Sequence, residues 1–433
     1  MLMIPFLILL FFLGLEITIV LRTRMEIPER LSVSYLLGIG VLTFFVFLTD
    51  FIFNLNFSLI NTFLILIFLC SVLFVFGYKN IMSFFKDVKF EKPVFKLNKK
   101  TLFWIFILSI FIYTLLVNWF WPVFDWDALA LYDFRAKVFL VDANLIRATL
   151  DNGYFMGYPL LTSLAHFFVY QMGLNNPKFI YSLFYLSFVI IFYYSLKKNV
   201  SESKAMLFAV ILALMPEILS NATVAYTNLA YVVYLCSGTL YLYDWIKNKE
   251  RSYLLLSAIL VALSTWIRIA EPFWLVPFFV VSLISIKEKE WKNIIYYFIS
   301  ILIFYLPWRL FESYINKMGV PALSVGQLNY VNSLKYIDLE RIFLVLNYLY
   351  TYVFSTWGLI FLAFMFMIIG VILYRKRRDN QFLYITLLFF ALLFAGTLIF
   401  SITFPEWKDI PDSARRMSMF LLPLMLYSIG LNI

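Results

Sequence analysis

Long apolar runs recur along the chain, separated by short clusters of charge, near residues 1–21, 31–53, 57–77, 102–121, 178–196, 205–219, 228–246, 252–267, 270–286, 293–311, 356–374, 381–402 and 416–432. Each approaches the roughly 20 residues a helix needs to cross about 30 Å of hydrocarbon. None alternates like the strands of a membrane barrel, and a helix satisfies its own backbone hydrogen bonds in lipid. The pattern therefore predicts an all-α, polytopic transmembrane helical bundle of about thirteen spans, in one membrane domain covering 1–433. Residues 1–100 hold the N-terminal helices and a basic connection, and 101–433 hold the core. The run Tyr158–Gly173 is apolar for only about fourteen residues. Counting it as a span would reverse the side of every later basic cluster, so it is predicted as a juxtamembrane helix.

Composition strengthens this picture. The chain is 63% apolar and 14% charged, with a mean hydropathy of +0.88, outside the range of soluble domains. Cys70 and Cys236 both lie in apolar runs, which implies neither a disulfide framework nor a thiolate metal site. The single histidine, His166, excludes a His-rich metal site, and it is read as a membrane-interface residue. The N-terminal run has no basic flank and no small-residue cleavage site, so it is read as a retained helix, with Glu16 reaching its polar end by snorkelling.

Charge supplies orientation. Alternate connections carry Arg22, Arg24 and Arg30; seven lysines from Lys79 to Lys100; Lys197, Lys198 and Lys204; Lys247, Lys249 and Arg251; Lys287, Lys289 and Lys292; and Arg375 to Arg378. Together these hold 23 of the 35 lysines and arginines. The positive-inside bias makes this set cytoplasmic and the N-terminus external. The net charge of +10 then reflects topology and contact with anionic membrane lipids, and no nucleic-acid partner is implied.

The external connections are then 122–177, 312–355 and 403–415. In the first, Asp125, Asp127 and Asp133 follow a helix end among Trp119, Phe120, Trp121, Phe124 and Trp126. Carboxylates beside aromatic rings suit sugar binding, and a carboxylate at the membrane surface can serve as general base. The same residues also suit an aromatic belt beside a solvated loop. Residues 128–139 have the mixed pattern of a helix lying in the interface. The second connection is polar and aromatic, with Asn316, Lys317, Gln327, Asn329, Tyr330 and Asn332.

Trp126-Asp127-Ala128, Arg135-Ala136-Lys137-Val138-Phe139 and Gly157-Tyr158-Pro159-Leu160-Leu161 resemble the first external loop of the GT-C membrane glycosyltransferases. The similarity is to the branch of protein O-mannosyltransferases and aminoarabinose transferases. Ala213-Leu214-Met215-Pro216 with Ala225-Tyr226-Thr227-Asn228, and Leu263 to Arg268 with Glu271-Pro272, resemble later features of that group; Pro307-Trp308 and Arg415-Arg416 before Pro423 are weaker matches. The resemblance covers about residues 100–430.

It implies an inverting transfer of sugar from a polyprenyl- or dolichyl-phosphate donor to a hydroxyl of a glycan or lipid-linked acceptor on the outer face. Asp127 takes the place of the catalytic base, with Asp125 the close alternative. Arg268, Arg135, Lys137, Arg415 and Arg416 are the cations available to the donor phosphate. Tyr158, Trp126, Glu217, Asn228 and Glu271 are the further substrate-binding candidates. A divalent Mg or Mn remains open. Two positions depart from the family pattern: Asn228 stands where many relatives have aspartate, and Arg268 takes the place of the family's turn lysine. Arg268 also suits a simple ion pair with Glu271. A lipid or lipid-linked oligosaccharide flippase accommodates the helix count, and a polysaccharide polymerase or ligase would share the donor. Neither paired broken helices nor mid-helix charges favour the transporter.

Overall fold

A computed structural model describes residues 2–87, 98–151, 158–319, 334–374, 380–403, 407–409 and 411–432. Among these every regular element is helical, and each predicted apolar run falls on helix. In chain order the helices are α1 (Met3–Val20), α2 (Ile27–Phe53), α3 (Leu59–Asp87), α4 (Lys99–Phe120), α5 (Phe134–Asp142), α6 (Leu145–Asp151), α7 (Leu161–Gln171), α8 (Phe179–Lys197), α9 (Glu202–Leu214) and α10 (Pro216–Asn221). They continue with α11 (Thr227–Asn248), α12 (Arg251–Thr265), α13 (Leu275–Glu288), α14 (Trp291–Lys317), α15 (Leu339–Leu349), α16 (Gly358–Tyr374), α17 (Gln381–Thr403), α18 (Pro411–Ser418) and α19 (Leu421–Asn432). Much of the polar stretch predicted in 312–355, from Pro321 through Asn332, lies outside the described residues, as do Gly157 and Arg375 to Arg378.

Several of these helices fit a multi-pass membrane protein. Seven are long and apolar enough to cross: α1, α2, α3, α4, α8, α14 and α17. An eighth crossing results if residues 339–354 and α16, which meet at an angle of 120°, count as one broken span. The remaining predicted runs form shorter helices or a more polar one. At about 1.5 Å per residue, helices α9, α12, α13 and α19, with 13, 15, 14 and 12 residues, cover only about 18–23 Å. Helix α11 has 22 residues but carries Thr227, Asn228, Ser237, Thr239 and Asp244 and is buried almost throughout, as the axis of the bundle.

Around that axis the outer helices turn aliphatic and aromatic side chains outward, for example Phe68, Val75 and Phe76 on α3 and Leu359 and Phe366 on α16. Exposed apolar surface of this extent is what a lipid-facing wall requires. Inside, helices are joined by side chains that reach across to backbone carbonyls: Tyr35 Oη donates to Ile180 O at 3.0 Å, Tyr185 Oη to Ala213 O at 2.7 Å, and Asn118 Nδ2 to Ala222 O at 2.8 Å. Each such bond contributes about 0.6 kcal/mol in a membrane interior.

Helices α1 and α2 approach closely because two glycines face the partner backbone. A Cβ on Gly14 would lie 1.8 Å from Ser34 O, and one on Gly38 would lie 2.1 Å from Leu10 O. Glu16, on the face of α1 turned toward α3, is fully buried beside Cys70. The expected snorkelling is thus replaced by burial, since the helix packs too closely for the side chain to escape.

Charges gather at the two ends. At one end Lys197 meets Glu26 at 2.6 Å, Lys198 meets both Glu29 and Asp244 at 2.9 Å, Arg24 meets Glu250 at 3.2 Å, and Lys100 meets Glu202 at 3.5 Å. The connections 21–30, 98–100, 197–202 and 244–251 therefore share one end, as alternation of the basic clusters requires. The segment after α4 lies at the other.

The seam makes a prediction. Gly14→Ala and Gly38→Ala should each lower thermal stability in detergent, by about 1–3 kcal/mol, because backbone atoms must move apart. Gly396→Ala, where a Cβ meets nothing within 4 Å, should leave stability unchanged or raise it.

Candidate functional site

The segment after α4 turns its polarity inward. Asp127 immediately precedes a six-residue π-helical turn, Ala128–Asp133, which runs directly into α5. Along it Tyr132, Asp133 and Arg135 are buried, whereas Leu129, Phe134, Leu140 and Val141 are exposed. An apolar outer face with buried charge beneath it suits contact with lipid, as the interfacial reading requires. Helix α7 differs from expectation: Leu161 to Val169 are all buried, so the 158–173 segment is a short helix packed inside the bundle rather than one lying at its surface.

Buried charges need partners, and Asp133 has several. Its carboxylate receives Lys137 Nζ at 2.8 Å and the Tyr170 hydroxyl, and stands 3.3 Å from His166 Nδ1; His166 Nε2 lies 3.0 Å from Tyr181 Oη. Burial works to raise the Asp133 pKa, but His166, Lys137 and Tyr170 together bring it down to about 2. His166 is therefore an interior strut between α7 and α8, not an interface residue. The one sign of this in the sequence is a lone ionisable residue within the apolar Leu164–Phe168. Arg135 is likewise internal: its Nε donates to Ser163 Oγ at 2.9 Å and its Nη1 to Tyr158 O at 2.7 Å. Burial lowers its pKa to about 10 against the pull of Tyr132 and Tyr158. Arg135 and Lys137, candidates for phosphate, thus brace the loop.

The other candidates converge. Asp127 Oδ2 accepts from Arg416 Nη1 at 2.9 Å, linking the loop to α18 across 289 positions of sequence. The Arg416 guanidinium lies 5.0 Å from the centre of the Tyr226 ring. Arg268, at the end of α12, pairs with Glu271 at 2.7 Å, donates to Asn228 Oδ1 at 2.5 Å, and lies 5.5 Å from the centre of the Tyr158 ring. Burial lowers the Arg268 pKa, but Glu271 and the Tyr158, Tyr132 and Tyr231 phenols raise it on balance. Tyr158 is within electrostatic reach of both groups. Burial raises its pKa, and Arg268, Glu271, Asp127 and Arg416 all act on it through space.

Asp125 lies at the rim, with one carboxylate oxygen buried and without a hydrogen-bond partner. Lys178, absent from the sequence candidates, is its neighbour: burial depresses the lysine pKa and Asp125 partly restores it. Lys178 Nζ also lies 5.4 Å from the centre of the Phe124 ring. Its place at the start of α8, after an asparagine-rich turn, gave no signal by spacing. Trp119, Trp121 and Trp126 face outward as an aromatic belt would. Arg415 is exposed one residue before Arg416. Glu217, on α10, is half-buried and makes no ion pair with these residues among those described. Among the described residues no group of three or more His, Cys, Asp or Glu is placed to hold a metal ion.

Compared with known protein families, curated proteins and solved structures, the chain matches none. The chemistry therefore rests on the residues themselves.

The Asp133 cluster makes a prediction about acid. Its folded pKa lies below the ordinary value of about 3.9, so its stabilising contribution, about 2 kcal/mol, is complete above about pH 4 and is lost as pH falls toward 2. Unfolding measured across this range should show that loss. Asp133→Asn should remove it while lowering stability at neutral pH, because Lys137 and His166 lose their buried partner.

Proposed function

We propose that this chain is a GT-C-like membrane glycosyltransferase of about thirteen spans, counting the shorter helices, that moves a sugar from a polyprenyl-phosphate donor to an acceptor hydroxyl on the outer face. The observation that carries this reading is the convergence of Asp127 with Arg416 and of Arg268 with Asn228 and Glu271 around Tyr158, from four distant parts of the chain. Ion pairs that gather the basic connections at the opposite end support a cytoplasmic location for that end and an external one for the site.

In this reading Asp127 is the base. It takes the proton from the acceptor hydroxyl as that oxygen forms a bond to the anomeric carbon from the face opposite the phosphate. The bond from anomeric carbon to phosphate oxygen breaks, its electron pair leaves with the polyprenyl phosphate, and the configuration inverts. A phosphate leaving group is stable as an anion, so a guanidinium can replace the second carboxylic acid that glycosidases use. Arg416 is suited to this because it stands beside the base, half-buried, and its fork matches phosphate geometry. Its partner Asp127 remains 37% exposed, within reach of an incoming hydroxyl.

The test is turnover of a labelled polyprenyl-phosphate sugar by purified protein in lipid nanodiscs. Wild type should release polyprenyl phosphate, and Asp127→Asn should lower kcat by about 10²–10⁴-fold without loss of fold. Full rates in both Asp127→Asn and Asp125→Asn would remove the base. Movement of labelled lipid across proteoliposomes with its covalent structure intact would replace the enzyme with a transporter.

A further inference from the structure

Arg268 is the better buried of the two converging arginines, yet its surroundings do not suit a phosphate. The Glu271 carboxylate stands 2.7 Å from Nη2, and the Asn228 amide oxygen occupies Nη1. The pair is neutral, and an incoming anion would face the carboxylate. Three polar atoms of this group nevertheless remain buried without a hydrogen-bond partner: Arg268 Nε, Glu271 Oε2 and the Tyr231 hydroxyl. Their residues are 8%, 6% and 4% exposed. The phenol of Tyr231 lies within electrostatic reach of both Glu271 and Arg268.

Folded proteins rarely leave buried polar atoms unsatisfied, and those that persist need a reason. Here the three differ in kind. Arg268 Nε can only donate, Glu271 Oε2 can only accept, and Tyr231 Oη can do either. A phosphate, which only accepts at neutral pH, would leave Glu271 unanswered. A hydroxyl donates and accepts at once, and two neighbouring hydroxyls on a ring would engage all three atoms.

Building on the glycosyltransferase reading, we propose that Arg268, Glu271 and Tyr231 form the subsite that recognises the hydroxyls of the donor's sugar ring, leaving the donor phosphate to Arg416. Tyr158 is within electrostatic reach of both. Its ring lies against Arg268, and its phenol is acted on by Asp127 and Arg416 as well. The sugar is thereby held on one side of Tyr158, with its anomeric carbon toward the base. Division of labour of this kind also gives specificity, because a site built to hydrogen-bond a hydroxyl rejects an analogue that lacks it far more strongly than an apolar pocket can.

The experiment compares binding of polyprenyl-phosphate-linked hexose, hexosamine and pentose with binding of polyprenyl phosphate alone, to the full chain in nanodiscs. Tyr231→Phe removes an oxygen that has no partner in the protein, so the fold should be intact. It should weaken the preferred sugar-bearing lipid about 5- to 10-fold. Glu271→Gln should weaken it by tenfold or more. Sugar-free polyprenyl phosphate should bind both variants within twofold of wild type, whereas Arg416→Ala should weaken both lipids. Equal weakening of sugar-bearing and sugar-free lipid in Tyr231→Phe and Glu271→Gln would overturn the proposal. So would unchanged binding of both lipids, which would mark the three atoms as partners of a buried water only. Either result, alongside wild-type turnover that still depends on Asp127, would remove the subsite and leave the enzyme reading standing. A wild type that binds no polyprenyl phosphate at all would remove both.

Discussion

Pairing of charge inside an apolar bundle is the constraint on which the rest of this structure depends. An ion removed from water and left alone costs several kcal/mol, and the main polar junctions here are built around charged partners, several of them contributed by a remote part of the chain. Lys198 joins α8 to both α2 and α11 through Glu29 and Asp244. Asp133 draws Lys137, Tyr170 and His166 together, and Asp127 fastens the loop after α4 to α18. These contacts do for the ends of the bundle what glycine contact and tyrosine-to-carbonyl hydrogen bonds do for its middle. They also explain why polarity is turned inward along residues 128–142. With lipid outside, the only place where Asp133 and Arg135 find partners is beneath the helix.

Much of the architecture was legible in the sequence because hydropathy is a property of runs. Helix for each apolar run and a common end for the basic connections both follow from counting along the chain. Length was harder to read. The runs near 205–219 and 270–286 have the composition of spans, but Met215-Pro216 closes α9 and Pro272 opens a short 3₁₀ turn before α13, so each is interrupted. Proline fixes its own dihedral and disfavours helix in the residue before it. Helix α7 was misplaced for a different reason. Its pattern is amphipathic only if His166 faces water, and tertiary contacts of that ring with Asp133 and Tyr181 remove the need.

The site was legible as a list and not as an arrangement. Asp127 stood out as a carboxylate just after a helix end, and Arg268, Tyr158, Asn228, Glu271 and Arg416 were picked out through the resemblance to glycosyltransferase motifs. Which cation meets which anion depends on helix packing that no local spacing encodes. Arg135 and Lys137 differ from Arg416 in nothing visible along the chain, yet two are committed to bracing and one stands beside Asp127. Lys178 and Tyr231 were passed over because each sits in a run whose neighbours are unremarkable.

Two of the shorter helices turn apolar side chains outward. Leu207 and Leu214 on α9, and Phe279, Leu283 and Ile286 on α13, are exposed apolar side chains on helices of 13 and 14 residues. They offer an apolar height of about 20 Å, against roughly 30 Å of surrounding hydrocarbon. A bilayer in contact with those faces would have to compress, or the flanking polar residues stretch to meet it, at a cost that rises with each ångström of mismatch. Acyl-chain length in a surrounding membrane would then act on how well this protein is accommodated, independent of any residue at its site.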